Sequence, residues 1–399
     1  MSRITATDAI ERLMAFKAPS KKGKAVKPLE LVRSLDDNVF LLRQGTSGMV
    51  CPADDELRPL LGEAERADYT IDLPPALEGW LAEYSDEVAW SLDGKWLMID
   101  EDTPDELPNM DGRKDVSPMV KTMWGQGKPY NDHLIFDGAR CLTGCTATTL
   151  AQIMYYWGVT KGYRRGCTAT PAYQWSGGHK VDAMPPITVF DYANLTTSKP
   201  KTAAQIQALA TLMEYIAKAI KSDFGSGGTG AYPSTFTPLL RTRLRLGNVR
   251  QITASSLGND GFAAAIYDEL AAGRPVEISG RHANGGHSFV CDGYRASDDK
   301  FHFNWGWEGS SDGWYAMSAL NPGNKTYNSS KSARIGICPA YKLGDANGDG
   351  KVNVSDVMAV VNSINAKKTS DQTDVNGDGK TDTKDVNAIV NHILGKTEL

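Results

Sequence analysis

Residues 345–356, DANGDGKVNVSD, return 29 positions later as DVNGDGKTDTKD at 374–385. Each copy sets oxygen-bearing side chains at loop positions 1, 3, 5 and 12: Asp345, Asn347, Asp349 and Asp356 in the first, Asp374, Asn376, Asp378 and Asp385 in the second. Gly350 and Gly379 stand at position 6, where an EF-hand-type Ca²⁺ loop needs its tight turn. Lys351 and Lys380 at position 7 offer backbone carbonyls, and Asn353 and Asp382 at position 9 ligate directly or through water. Asp replaces the usual Glu at position 12, and its shorter arm suits a following helix that sits closer. An apolar helical pattern comes after each loop, with Val357, Val360, Val361 and Ile364 on one stripe of the first. One such loop is a common accident of acidic sequence; two in register, each leading into a helix, specify a small all-α domain that binds two Ca²⁺ ions.

This tail differs in composition from what precedes it. All nine tryptophans and all six cysteines lie before residue 341, so 341–399 is expected to be a separate domain. A chain of 399 residues is in any case too long for one core. A second boundary falls in EDTPDELPNMDGRKDVSP, residues 101–118, where Pro, Asp, Gly and the Arg113-Lys114 pair break any apolar period and suggest an exposed linker. Upstream of it, NVFLLRQGTSGMVCPADD reads as two strands around a turn and PPALEGWLAEYSDEVAW as a helix opened by proline, which makes a small α+β unit.

Several function classes are disfavoured at this level. With 43 Lys plus Arg against 48 Asp plus Glu the net charge is −5, and no basic stripe is interleaved with aromatic residues, so neither nucleic acid nor an anionic membrane surface is an expected partner. No apolar run reaches the ~20 residues of a membrane span, and the start, MSRITATDAIERLM, lacks the apolar core of a secretory signal, so any export signal is expected to be missing from this chain. The cysteines are too sparse and irregular for a disulfide scaffold. Cys51, Cys291 and Cys338, in strand-like apolar runs, are expected as buried thiols, and Cys141 and Cys167 as exposed ones.

Cys145 is different. It follows Gly144 and opens the helical stretch TATTLAQIMYYW, so the unpaired amides and positive end of that helix would favour a thiolate. A packed free cysteine would look the same, so catalysis needs a base. Among six histidines, His287 stands out: ANGGHSFVCDGY begins with two glycines and then alternates as a strand, and KFHFNWGW supplies a second strand after the polar turn RASDD. In that hairpin Asn304 neighbours His287 and can hold the imidazole, the third member of a nucleophile, base and orienter set. Gln126, in the Gly-rich WGQGKPYN about 20 residues before Cys145, can donate to a developing oxyanion together with the Cys145 amide.

WGQGKPYN, TGCTATTLAQIMYYW, GGHSFVCDGY and FNWGWEGSSDGWYAMSALNP occur in this order, and with them residues 115–340 resemble the streptopain family of secreted cysteine peptidases, a branch of the papain-like fold. The resemblance implies an α+β chain with Cys145 as nucleophile, His287 as base, Gln126 as oxyanion donor, Asn304 as orienter and Trp305 as aromatic cover, while Gly285 and Gly286, the two glycines before His287, permit close backbone approach by a substrate. Strand alternation puts Asn304 and Trp305 on opposite faces, so both reach one site only if the strand bends. DFGSGGTGAYPS, residues 223–234, resembles the family's loop beside the cleft.

Residues 1–114 resemble the propeptide that keeps these enzymes latent, with activation expected by a cut between about Asn109 and Pro118. The tail, over 344–395, resembles a dockerin, which implies Ca²⁺ at two sites, none needed for catalysis, and a cohesin-like or cell-surface docking partner. Val354-Ser355 and Thr383-Lys384 differ just before position 12, so the two halves present unequal surfaces. The implied function is a secreted, latent endopeptidase acting on proteins or peptides. The alternatives are a catalytically silent relative used as a binding or display module and, more remotely, a transglutaminase-like acyl transferase.

Overall fold

The computed structural model describes residues 2–17, 27–93 and 112–399 apart from 165, 177, 248, 283–284, 320–329, 341, 348–350, 371 and 398. In chain order the elements are α1 (Ala6–Phe16), β1 (Glu30–Leu35), β2 (Val39–Gln44), β3 (Ser47–Pro52), β4 (Gly62–Ala64), α2 (Pro75–Leu92), β5 (Ile135–Phe136), β6 (Ala139–Arg140), α3 (Cys145–Tyr155), β7 (Tyr173–Gln174), β8 (Lys180–Val181), α4 (Ala203–Ala219), α5 (Pro233–Thr242), β9 (Leu246–Gly247), β10 (Arg250–Thr253), α6 (Ala254–Ala271), β11 (Val276–His282), β12 (Gly285–Arg295), β13 (Lys300–Asn304), β14 (Gly313–Tyr315), β15 (Ser332–Ile335), β16 (Cys338–Pro339), α7 (Val354–Asn365) and α8 (Thr383–Ile393). By compactness they form two units, each discontinuous in sequence: Met1–Met123 with Gln251–Ile335, and Trp124–Arg250 with Gly336–Leu399.

The first unit is built on one ten-stranded sheet in the order β1-β2-β3-β4-β14-β13-β12-β11-β15-β10. The N-terminal strands join it through β4 and β14, where Gly62 pairs with Tyr315 and Ala64 with Gly313. Helix α2 starts at Pro75, whose fixed φ suits a first helical turn, and buries Ala76, Leu77, Trp80, Leu81, Tyr84 and Val88 at helical spacing. Trp80 stands edge-on to Phe289 of β12 and Phe303 of β13, with ring centroids 5.5 and 5.0 Å away. The N-terminal α+β segment therefore has the expected strands and helix, but its main apolar cluster is shared with β11–β15.

The 101–118 linker expectation is corrected where the structure describes it; residues 101–111 lie outside the described set. Arg113 is not an exposed basic residue. Its side chain is 8% exposed, lies 4.9 Å over the Tyr267 ring and stands 3.8 Å from Asp299. Val116 bridges Tyr294 and the Met119 amide donates to the Asp292 carbonyl, so this segment adds to the sheet edge.

In the second unit α3 packs on α4, which a Thr202–Gln205 capping box starts. The tail helices α7 and α8 pack on one another around Val360 and Ile389, each begun by a capping box, Asn353–Asp356 and Asp382–Asp385. The cysteine expectations need correcting too: Cys141 and Cys167 are buried and Cys338 is only partly so, because 141 and 167 lie in short bridged segments whose apolar side chains turn inward. All six cysteines are free thiols. No helix among the described residues is long and apolar enough to cross a membrane.

Candidate active site

Cys145 is the first residue of α3, and Gly144 before it has φ 87° and ψ 146°. A Cβ at 144 would meet the Thr229 carbonyl oxygen at 2.9 Å, so both the conformation and the space demand glycine. No side chain caps this helix, which leaves its first amides directed at the Cys145 region. The turn is braced from behind: Thr229 Oγ1 donates to the Leu142 carbonyl at 2.7 Å, the Leu142 amide donates to the Gly225 carbonyl at 3.1 Å, and Asp223 bridges Gly230. Loop 223–234 thus supports the turn that presents Cys145, and Thr229 is a residue that no sequence pattern singles out. Gln126 belongs to the same unit. Its carbonyl accepts the Thr143 amide at 3.1 Å, fixing the Gly-rich loop two residues from Cys145 while its side chain stays partly exposed.

His287, Asn304 and Trp305 belong to the other unit. His287 sits on β12 opposite Gly280 of β11, and Gly286 and Gly285 pair with Arg281 and His282. The imidazole is half-buried beneath the N-terminal segment: it lines a cavity of about 230 Å³ with Arg33, Leu35, Asp36, Pro75 and Glu78. The hairpin register puts Asn304 opposite Val290, three residues from His287. Asn304 is buried, with Nδ2 donating to the Thr122 carbonyl at 2.7 Å and Oδ1 accepting the Gly306 amide at 3.1 Å. β13 ends at Asn304, so Trp305 is free of the alternation; its ring lies 4.6 Å from Phe289 and its Nε1 donates to the Ser311 carbonyl at 2.9 Å.

A polar cluster with no signature in the sequence holds these strands. Asp292 accepts the Val120 amide at 2.6 Å and stands 2.6 Å from His302 Nδ1, and Asp312 accepts the Trp305 amide at 2.9 Å. Burial pushes the Asp312 carboxyl up to about 7, against the opposing pull of the Trp305 amide and His302. Burial also disfavours the His302 cation, but the Asp292 carboxylate outweighs it and raises that pKa. A carboxyl raised in the folded state stabilises fully below its unfolded pKa and loses that contribution as pH climbs through the folded value. Asp312→Asn, which cannot ionise, should therefore gain on the parent between pH 5 and pH 8 in urea midpoints measured on Cys145→Ala protein. Parallel pH curves for the two proteins would rule this out.

In the tail's second loop, Asp374 accepts the amides of Gly377, Asp378 and Gly379, and Asp385 accepts those of Asn376 and Asp382. Among the described residues no three His, Cys, Asp or Glu side chains gather as a metal cluster; these oxygens are turned onto the loop's own amides. The donor set nevertheless fits a hard cation. Asp345, Asp356, Asp374 and Asp385 are each at most 5% exposed, and carboxylates so buried favour a compensating charge. Asp349 lies outside the described residues.

The fold defines the class: papain-like cysteine peptidases. Comparison with known proteins gives the family. A profile described as the Peptidase C10 family matches residues 124–315, and one described as the dockerin type I domain matches 343–394. The chain is 29% identical over 317 residues to the thiol protease/hemagglutinin PrtT of Porphyromonas gingivalis, covering 73% of itself but only 36% of that protein. It is 25% identical over 360 residues to streptopain of Streptococcus pyogenes, covering 83% of itself and 89% of that protein. Among solved structures it matches the prointerpain A fragment of Prevotella intermedia with TM-score 0.65 and 26% identity, over 78% of this chain and 99% of that one. The chain carries a peptidase C10, or streptopain-family, domain over residues 124–315 and a C-terminal dockerin type I domain over 343–394.

Proposed function

We propose that the chain is a secreted cysteine endopeptidase made as a latent zymogen, with 1–114 as inhibitory propeptide, 115–340 as catalytic domain and 341–399 as a docking domain. The observation that carries the latency reading is the seating of α2 and the β1–α2 segment against His287 and Phe289. While the propeptide is there, a peptide substrate cannot approach His287 from that side. Residues 113–119 are held on the sheet edge, so a cut between Asn109 and Pro118 at those positions requires local opening first.

In the released enzyme the Cys145 thiolate adds to the scissile carbonyl carbon, and the oxyanion takes hydrogen bonds from the Cys145 amide and the Gln126 side chain. Collapse breaks the C–N bond as the His287 imidazolium gives its proton to the departing amine. His287 then takes a proton from water, which hydrolyses the thioester and restores the thiol–imidazole pair. Asn304 orients the imidazole and Trp305 shields that hydrogen bond. Gly285 and Gly286 let the substrate backbone approach β12 closely. The two tail loops each hold one Ca²⁺, through Asp345, Asn347, Asp349, Lys351, Asn353 and Asp356, and through Asp374, Asn376, Asp378, Lys380, Asp382 and Asp385. The ions supply charge neutralisation there and no chemistry at Cys145. A cohesin-like or surface partner then holds the enzyme outside the cell.

An epoxide that alkylates papain-like thiols separates this from a silent display module. The processed protein should carry one adduct mapping to Cys145, and the intact chain far less. An unlabelled Cys145 after complete processing would favour the silent reading.

A further inference from the structure

The dockerin-like tail does not hang from the second unit on a free tether. The chain entering it is a strand: Cys338 and Pro339 pair with Gly247 and Leu246, and the Ala340 amide donates to the Arg245 carbonyl at 3.3 Å. Just upstream, the Ile337 carbonyl accepts Trp157 Nε1 at 3.0 Å. Trp157 belongs to the π-helical turn Tyr156–Thr160 that continues α3, the helix whose first residue is Cys145. Such turns break the regular α ladder.

Beyond that turn the backbone is built into the tail. The Trp157 carbonyl accepts the Tyr163 amide at 2.8 Å, and the two rings meet edge-on at 5.7 Å. Tyr163 packs against the tail core of Leu343, Ala346, Val360, Val375 and Ile389, and its hydroxyl accepts the Leu343 amide at 3.3 Å. The second loop closes the contact. Gly377 has φ +71°, and a Cβ there would stand 2.5 Å from the Arg164 carbonyl oxygen; one at Gly379 would stand 3.8 Å from Thr188 and Val189. The second acidic loop thus lies directly on the backbone that leaves the nucleophile helix.

We propose that the second loop is an internal clamp: Ca²⁺ bound there orders residues 156–164, so that the far end of the Cys145 helix is held by the tail in the same chain. The inference rests on the calcium reading of the loops and goes beyond it, because a docking module with no role in its own enzyme needs no contact with Tyr163 or Arg164. The loop that meets Arg164 is ordered by Asp374, which binds the amides of both Gly377 and Gly379. Without a cation the four acidic side chains of this loop repel one another, the loop opens, and the surface under Arg164 and Thr188 is lost. Coupling of this kind is reciprocal, so undocking Tyr163 must weaken Ca²⁺ at the second loop as much as Ca²⁺ strengthens docking.

The test is hydrogen exchange on the full chain carrying Cys145→Ala, with Ca²⁺ and with chelator. Chelation should speed exchange ~10-fold or more in 374–385 and in 156–164 together, and Asp374→Ala with Asp385→Ala should do the same with Ca²⁺ present. Tyr163→Ala should expose 156–164 in Ca²⁺ and raise the calorimetric Kd of one of the two sites ~10-fold; Tyr163→Phe, which keeps the ring, should show a smaller change in the same direction. If chelation opens 374–385 and leaves 156–164 as protected as before, the clamp is wrong and the calcium reading stands. If the chain takes up no Ca²⁺ and chelator changes neither segment, the calcium reading fails and takes the clamp with it.

Discussion

Replacing Cys145 with alanine should abolish peptide hydrolysis by the processed enzyme, and His287→Ala should come close to doing so. On the proposed mechanism the two side chains work together, thiolate and imidazolium, so their losses should not add: the double variant should be no slower than the worse single one. Gln126→Ala is a different kind of loss. On the proposed role it removes a donor that matters most when the carbonyl oxygen is charged, so turnover should fall ~10²-fold or more while KM changes little and the fold is kept. The Gln126 carbonyl that fixes the loop to Thr143 belongs to the backbone and survives the substitution, which is why a folding defect is not expected. Burst kinetics on an ester substrate read both effects. A Cys145→Ala protein that still cleaves peptides at the parental rate would end the peptidase reading, and a Gln126→Ala protein with unchanged kcat would remove that residue from the oxyanion site.

Local patterns in the sequence carried far. Strand alternation in 285–295 and 300–304, the proline at the start of α2 and the duplicated loop-helix tail all appear as elements close to where the pattern puts them. These are signals read within a dozen residues, where periodicity and turn chemistry suffice. Partnership between distant segments was not legible. Nothing local in GEA at 62–64 says that it will pair with GWY at 313–315, so the N-terminal region reads as a unit with its own core. Arg113 reads as an exposed basic residue because its aromatic box, Tyr267 and Tyr294, lies more than 150 residues downstream.

The site divides the same way. Gly144 before Cys145 is a sound signal because one residue has to satisfy both a positive φ and a close approach. Asp292, His302 and Asp312 escape a sequence pattern because each alone is an ordinary polar residue on a strand or turn, and only the fold makes them a cluster. Thr229 escapes for a similar reason: its loop is conspicuous for its glycines, whereas the contact with Leu142 belongs to the one residue with a hydroxyl at the right place. The Asn304–Trp305 conflict comes from treating the strand as continuing past residue 304, where it ends.

Glu87→Ala should break latency without touching the mature enzyme. Glu87 lies on α2, fully buried, and its carboxylate stands 2.8 Å from Lys331 Nζ; it also accepts the Ser318 hydroxyl at 2.9 Å and the Ala319 amide. Lys331 is 1% exposed, donates to the Met317 carbonyl at 3.0 Å and lies 4.8 Å over the Trp80 ring. Removing one partner of such a pair leaves the other charge buried and uncompensated, at a cost of about 3–5 kcal/mol, several times what an exposed ion pair contributes. The chain has a cheaper outlet than global unfolding, since lifting α2 returns Lys331 to water. The penalty should therefore appear as propeptide release: lower urea midpoint for α2 in Cys145→Ala protein, and early hydrolysis by the uncut chain that carries Cys145. Trp80→Ala should act in the same direction by about 3–5 kcal/mol, through lost packing against Phe289 and Phe303. Glu87→Gln should be milder, because an amide oxygen still accepts from Ala319 and Lys331. With 1–114 removed as proposed, residue 87 is gone, so kcat and KM of the processed enzyme should equal the parent's for every one of these variants. A Glu87→Ala zymogen as silent and as resistant to urea as the parent would show that α2 is not what holds this chain latent.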